Sequence, residues 1–147
     1  MTIEKVKRVV LGADHAGFAL KEAVKAHLIK QGIDTVDCGT FSDESCDYPP
    51  IIRKAAAAVL EHQCMGIVFG GSGNGEAMAA NKVRGIRAAL VYSDDTARLA
   101  RAHNDANIMS LGGRLTKPVD ALRFTDIFLT TKFEGGRHVR RVQDLEP

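Results

Sequence analysis

Five apolar runs of strand length alternate with helical patterns along the chain, and this rhythm restricts the fold more than any other feature. The runs are residues 8–11, 35–37, 66–69, 88–91 and 108–111, short and rich in Val, Ile and Leu. Between them, residues 18–31 carry Leu20, Val24 and Leu28 at a spacing of four, and Gly32 follows as a stop. Pro49 and Pro50 open a helix over 51–61, where proline in the first turn forfeits no hydrogen bond. A short helix is expected over 76–82. Another over 94–103 begins with two acids that suit a positive helix end, and a last one over 118–130 has Thr116 as its expected cap. Strands that alternate with helices pair in parallel and need cover on both faces. The predicted architecture is a three-layer α/β/α sandwich around a five-stranded parallel sheet.

The chain of 147 residues fits one domain spanning 1–147, with no internal repeat or linker and a polar tail over 132–147. A net charge of only +2 gives no electrostatic reason to expect nucleic acid or an anionic membrane as partner. No apolar stretch approaches the roughly 18 residues of a membrane span. The opening residues lack the apolar core of a signal peptide. Cys38, Cys46 and Cys64 are odd in number and show no CxxC spacing, which argues against a disulfide framework or a zinc site. They read as small packed side chains in a cytoplasmic protein, with any redox role left open.

In such a fold the ligand sits at the carboxyl ends of the strands, so the loops that follow strands carry the function. The most unusual is residues 70–80, GGSGNGEAMAA. Glycines there let the backbone approach a ligand and present N–H groups to it. A P-loop would end in Gly-Lys-Ser/Thr, and Lys82 comes too late. A dinucleotide fingerprint starting at Gly71 would need glycine at 76, where Glu76 stands and would repel a pyrophosphate. An anion that exchanges a proton with that acid fits better. An enediolate, formed when a base removes the proton beside a carbonyl, meets this description: N–H groups stabilise its oxygens and Glu76 carries the proton. A tight turn followed by a dipole-favoured glutamate remains the plain alternative.

Three other segments bear on the choice. Asp14 and His15 follow the first strand and suit hydroxyl and phosphate recognition, or else form a turn acid and a surface histidine. His103, near the end of the fourth helix, suits acid–base work, or else a helix C-terminus. Arg137 and Arg141 are four apart, share a face if helical, and suit one phosphate, or else belong to a solvated tail.

The motifs GADHAGFALK, VDCGT, DYP, GGSGNGEAMAANKVRGIRAAL, ARLARAHNDANIMSLGGR and EGGRHVRRV, in this order from about Val9 to Val142, resemble ribose-5-phosphate isomerase type B. The wider family also holds galactose-6-phosphate and allose-6-phosphate isomerases. The resemblance implies a Rossmann-like sandwich and active sites between the subunits of a homodimer, with pairing into tetramers open. It implies that Asp14 and His15 contact sugar and phosphate, that Gly71, Ser72, Gly73, Asn74 and Gly75 hold the enediolate, and that His103 opens the furanose ring. Asn104 would contact the sugar. Arg114, Arg137 and Arg141 would hold chiefly the phosphate, the last two in the partner's site. One departure matters: a branch of the family places a cysteine base at the position of Gly70, whereas the branch reading GGSGNGE uses the glutamate that maps onto Glu76.

The expected reaction interconverts ribose 5-phosphate and ribulose 5-phosphate, with Glu76 as base, Ser72 helping to stabilise the charged oxygens, and no metal or cofactor. Partial desolvation should raise the pKa of Glu76. A related tetrose 4-phosphate or hexose 6-phosphate is the rival substrate, and a nucleotide-binding domain without chemistry is the rival from another class. A nucleic-acid module is weaker, since no aromatic residue interleaves with the tail arginines.

Overall fold

The first strand sends apolar side chains to both sides, so it has to be covered on both. In β1 (Arg8–Ala13), Val9, Leu11 and Ala13 enter one apolar layer and Val10 enters the other. In β3 (Met65–Gly70), Ile67 and Phe69 join the first layer and Val68 the second. This alternation is the two-residue period of a strand buried on both faces. The computed structural model describes residues 5–147. The first four, part of the opening for which no signal peptide is expected, lie outside the described residues.

With β2 (Asp34–Asp37), β4 (Ala88–Leu90) and β5 (Ile108–Gly112), the strands form one sheet in the order β2-β1-β3-β5-β4, every pair parallel. α1 (Phe18–Lys30), α4 (Asp94–Ala102) and α5 (Pro118–Thr130) cover one face, and α2 (Tyr48–His62) and α3 (Asn74–Asn81) the other. The α/β/α sandwich expected from the sequence is the fold observed. Ala13 pairs with Phe69 and Gly70 with Gly112, which aligns the carboxyl ends of β1, β3 and β5 along one edge. The chain turns outward in opposite directions after β1 and after β3, so the crevice between these two strands is the switch point where ligands bind in such sheets.

Four details depart from the sequence reading. The helix-opening cap of α5 is Lys117, without a side-chain cap bond, and Pro118 starts the helix instead of Thr116 capping it. α4 is closed by a reciprocal Ser93–Thr96 capping box, so its two acids add to a cap that already exists. Lys21 is fully buried on α1, 2.6 Å from the Asp37 carboxylate, which Lys25 also meets at 2.9 Å. The polar tail packs on its own chain. The Glu134 N–H donates to the Ala102 carbonyl at 2.9 Å, the Gly85 N–H donates to Glu146 at 2.6 Å, and a short α6 (His138–Gln143) buries His138.

Candidate active site

The carboxyl edge of β1 and β3 brings two acids together. Asp14 follows β1; its N–H donates to the Phe69 carbonyl at 3.1 Å, and its carboxylate accepts the Gly17 N–H at 3.0 Å. Glu76 lies in the first turn of α3, which begins where Gly73 takes a left-handed φ of 85° that favours glycine. The hydroxyl of Ser110 on β5 donates to the Gly73 carbonyl at 2.7 Å and fixes that turn from below.

Glu76 is 3% exposed and Asp14 7%. The Glu76 side chain turns back onto Gly70, so that a Cβ at position 70 would fall inside its carboxyl group. Burial, followed by the adjacent Asp14 carboxyl, pushes the Glu76 pKa up to about 7, against an opposing hydrogen bond from its own N–H. The rise expected from desolvation is therefore present. A carboxyl poised near neutrality in a strand-end crevice is the kind of group that general-base catalysis uses.

Around it, the N–H groups of Gly71, Ser72 and Gly75 have no acceptor among the described residues. The Ser72 hydroxyl accepts the Asn74 N–H at 3.2 Å, and both residues are exposed at the mouth of the loop. The loop after β5 is fastened to it through Gly113 N–H to the Gly70 carbonyl (2.6 Å) and Arg114 N–H to the Gly71 carbonyl (3.0 Å), which lays the Arg114 guanidinium over Gly71. His15 accepts the Cys46 N–H on Nδ1 at 3.2 Å, which leaves Nε2 as the ring's donor. Tyr48, in the DYP motif, sets its hydroxyl against Gly75 and was not singled out by the sequence. A cleft of about 220 Å³ beside Ser72 and Asn74 continues between Leu90, Tyr92 and Leu115.

His103 is elsewhere. α4 runs from Ser93, past the carboxyl end of β4, back to His103, ahead of the amino end of β5. In a parallel sheet this puts His103 at the edge opposite Glu76, and Asn104 with it. There the His103 ring stacks on His138 with centroids 4.3 Å apart and planes at 16°. The Nε2 atoms of both lie 3.7 Å from the same oxygen of Glu134. Arg141 stands exposed on the same short helix as His138, and Arg137, also exposed, caps its start. The expected site residues thus form two groups: Asp14, His15, residues 71–76 and Arg114 at one edge, and His103, Asn104, Arg137 and Arg141 at the other. His103, Glu134 and His138 offer three ligand atoms within 4.8 Å of one another. The two rings lie nearly parallel, with planes at 16°. A larger groove of about 980 Å³, lined by Arg8, Met65, Arg101 and Phe133, includes neither group.

Residues 9–145 match the family model described as Ribose/Galactose Isomerase. A curated relative from Mycolicibacterium paratuberculosis, named ribose-5-phosphate isomerase B, is 49% identical over 94% of this chain and 89% of its own. The crystal structure of a ribose 5-phosphate isomerase from Thermotoga maritima superposes with a TM-score of 0.93 at 46% identity, over 97% of this chain and 99% of that one. A Mycoplasma genitalium ribose-5-phosphate isomerase B, solved with bound ribulose-5-phosphate, has a TM-score of 0.90 at 37% identity over 97% and 95%. The chain belongs to the Ribose/Galactose Isomerase family.

Proposed function

We propose that the protein interconverts ribose 5-phosphate and ribulose 5-phosphate, with Glu76 as the proton carrier. The observation that carries this reading is the buried Glu76 carboxyl, held near neutrality over Gly70 and beside unpaired loop N–H groups. The names of its relatives supply the substrate. Glu76, as carboxylate, removes the C2 proton of the open-chain aldose, and the electron pair moves through C2 and C1 onto the carbonyl oxygen. The resulting enediolate is stabilised by the N–H groups of the loop and by Ser72. Glu76 returns its proton to C1 while the hydroxyl proton passes from O2 to O1. C1 is reduced as C2 is oxidised, so the chemistry balances within the sugar and calls for no external oxidant, metal or cofactor. Asp14 and His15 hold the sugar, and Arg114 holds it from across the loop.

The ring-opening acid, His103, and the phosphate arginines, Arg137 and Arg141, come from a second copy. Within one chain they sit at the far edge of the sheet, while the four residue steps of strand from Gly66 to Gly70 already span about 13 Å. The exposed Tyr92 and Leu115 lining the Ser72 cleft give that copy an apolar face to cover. A homodimer with two composite sites follows, acting in the cytoplasm. Among the described residues no helix is long and apolar enough to cross a membrane.

The test is to incubate the protein with tetrose 4-phosphate, ribose 5-phosphate and hexose 6-phosphates and compare kcat/KM for ketose formation. The expected result favours the pentose. A hexose preference would move the substrate within the family, and no turnover with any of them would overturn the proposal.

A further inference from the structure

We propose that Glu134 is a positioning residue for His103: its carboxylate holds the imidazole as a proton donor while the stacked His138 serves as a neutral backing. The proposal rests on the reading of His103 as the ring-opening acid.

Glu134 is fixed where it can do this. Its own N–H donates to the carbonyl of Ala102, the residue before His103, at 2.9 Å. The backbone therefore delivers the carboxylate to the ring. One Glu134 oxygen lies 3.7 Å from Nε2 of both histidines, so a single negative charge faces two imidazoles that nearly touch. Two stacked rings resist carrying two positive charges. Exposure tells the two rings apart. His138 is 8% exposed, its Nε2 has no hydrogen-bond partner, and burial, with His103 and Arg137 adding, lowers its pKa. The His103 side chain is 35% exposed and reaches solvent or substrate. The half-exposed His103 is therefore the ring that can meet a sugar oxygen, with the Glu134 carboxylate facing it at 3.7 Å.

The charged groups around the pair are few. From the tail come Glu134, Arg137 and Arg141; from the end of α4 come Arg101 and Asp105, which already pair with each other at 2.9 Å. Glu134 is the one carboxylate in ion-pair range of the rings among the described residues. A ring-opening acid has to be protonated when it meets the sugar and deprotonated afterwards, which suits a half-exposed carboxylate partner better than a buried one.

The experiment follows the His103 ring signal by NMR across a pH titration, assigned through His103→Asn, in the wild type, Glu134→Gln and Glu134→Asp. The expected result is a lower midpoint for His103 in Glu134→Gln, with partial recovery in Glu134→Asp. Turnover of ribose 5-phosphate should fall about tenfold in Glu134→Gln, with little change for erythrose 4-phosphate, which cannot close the furanose ring. A midpoint that does not move overturns the proposal. A lowered midpoint with equal losses on both sugars supports Glu134 as the partner of His103 and instead removes the ring-opening reading on which its function rests.

Discussion

The carboxyl group of Glu76 occupies the space that a side chain at Gly70 would need. One residue ends β3, the other opens α3, and six positions of chain fold back to superimpose an acid on an absent side chain. A side chain placed at 70 would rise from the strand end itself. Here the same volume is reached by a carboxylate from the helix. The two cannot share that volume, so glycine at 70 is what lets the Glu76 carboxylate sit there.

Gly70→Ala should therefore injure the site without straining the backbone, since Gly70 has no left-handed φ. The new methyl displaces the Glu76 carboxyl. We expect kcat to fall at least tenfold and stability to drop by about 1–3 kcal/mol from overpacking. In the Glu76→Ala background the same methyl finds room, and Gly70→Ala should cost under about 0.5 kcal/mol. A double-mutant cycle by urea denaturation measures this coupling. Additive costs would show that the two residues do not compete for one space.

Glu76→Gln should lower kcat by about 10² to 10⁴, because the amide cannot take the carbon proton, with phosphate binding retained. In the wild type, kcat/KM should rise with pH through about 7, as Glu76 loses its proton. Its counterpart, Cys38, Cys46 and Cys64 each changed to alanine, should keep the chemical step. An unchanged rate in Glu76→Gln would rule this residue out as base.

The same substitution should stabilise the fold at alkaline pH. The pKa of Glu76 rises from 4.5 in an open chain to about 7 in the folded protein. Between these values the folded state holds a proton that the unfolded state has released. Its favourable contribution is thus complete below about 4.5 and is lost as pH climbs through 7. At pH 8 Glu76→Gln should be more stable than wild type by about 1–3 kcal/mol, a difference that closes towards pH 4.5. Calorimetry at several pH values reads it as a Tm gap that widens with pH. A gap constant in pH would mean that the acid is not strained by burial.

Much of this was written in the sequence, and the exceptions have physical causes. The five strands and the first five helices were legible because strand-length apolar runs, prolines at helix starts and glycine loops mark their ends to within about three residues. The glycine loop and Glu76 were legible because few other structures need so much backbone freedom before one acid. Lys21 was not, since a lysine beside Leu20 and Val24 reads as solvated until Asp37, sixteen residues on, comes to meet it. α6 was hidden because its six residues have too few turns for a period to show. Glu134 and His138 were hidden because a carboxylate and an imidazole from a polar tail gain meaning only against the end of α4. The separation of His103 from Glu76 was readable in principle. His103 ends a helix and Glu76 begins one, and in a parallel sheet these ends lie at opposite edges.

Lys21→Met should be among the most damaging changes away from the site. Burial alone would raise the Asp37 pKa, but hydrogen bonds from Lys21, the Gly39 N–H and Lys25 outweigh it and hold it below the ordinary value. Asp37 thus contributes stability that is present above its unfolded pKa and lost as pH falls through the lower folded one. Removing Lys21 leaves a mostly buried carboxylate with only the more exposed Lys25, at a cost of about 2–4 kcal/mol at pH 7. The penalty should shrink as pH falls from about 3.8 towards the lowered folded pKa of Asp37, where the carboxylate takes up its proton. Thermal unfolding at pH 7 and pH 3.5 gives the comparison, and an equal loss at both would assign the effect to packing.

The proposed composite site has the most direct consequence. Glu76 and His103 stand at opposite edges of one sheet, so a chain lacking either should be inactive on ribose 5-phosphate for a different reason. In a heterodimer of Glu76→Gln with His103→Ala, one site gathers both lesions, while the other receives an intact glutamate from one chain and an intact histidine from the other. Mixed in equal amounts and allowed to exchange, half of the dimers are heterodimers with one good site in two, which restores about one quarter of wild-type activity. Replacing His103→Ala by the Arg137→Ala/Arg141→Ala double variant should give the same recovery, since those arginines lie on the His103 side. Two variants from one edge, Glu76→Gln and Arg114→Ala, should instead recover nothing beyond the residual rate of Arg114→Ala, because every glutamate-bearing edge then lacks its arginine. The measurement is initial rate after confirmed exchange, read by mass spectrometry of the mixed dimers. Recovery within the same-edge pair, or none across the two edges, would mean that His103 and the tail serve their own subunit.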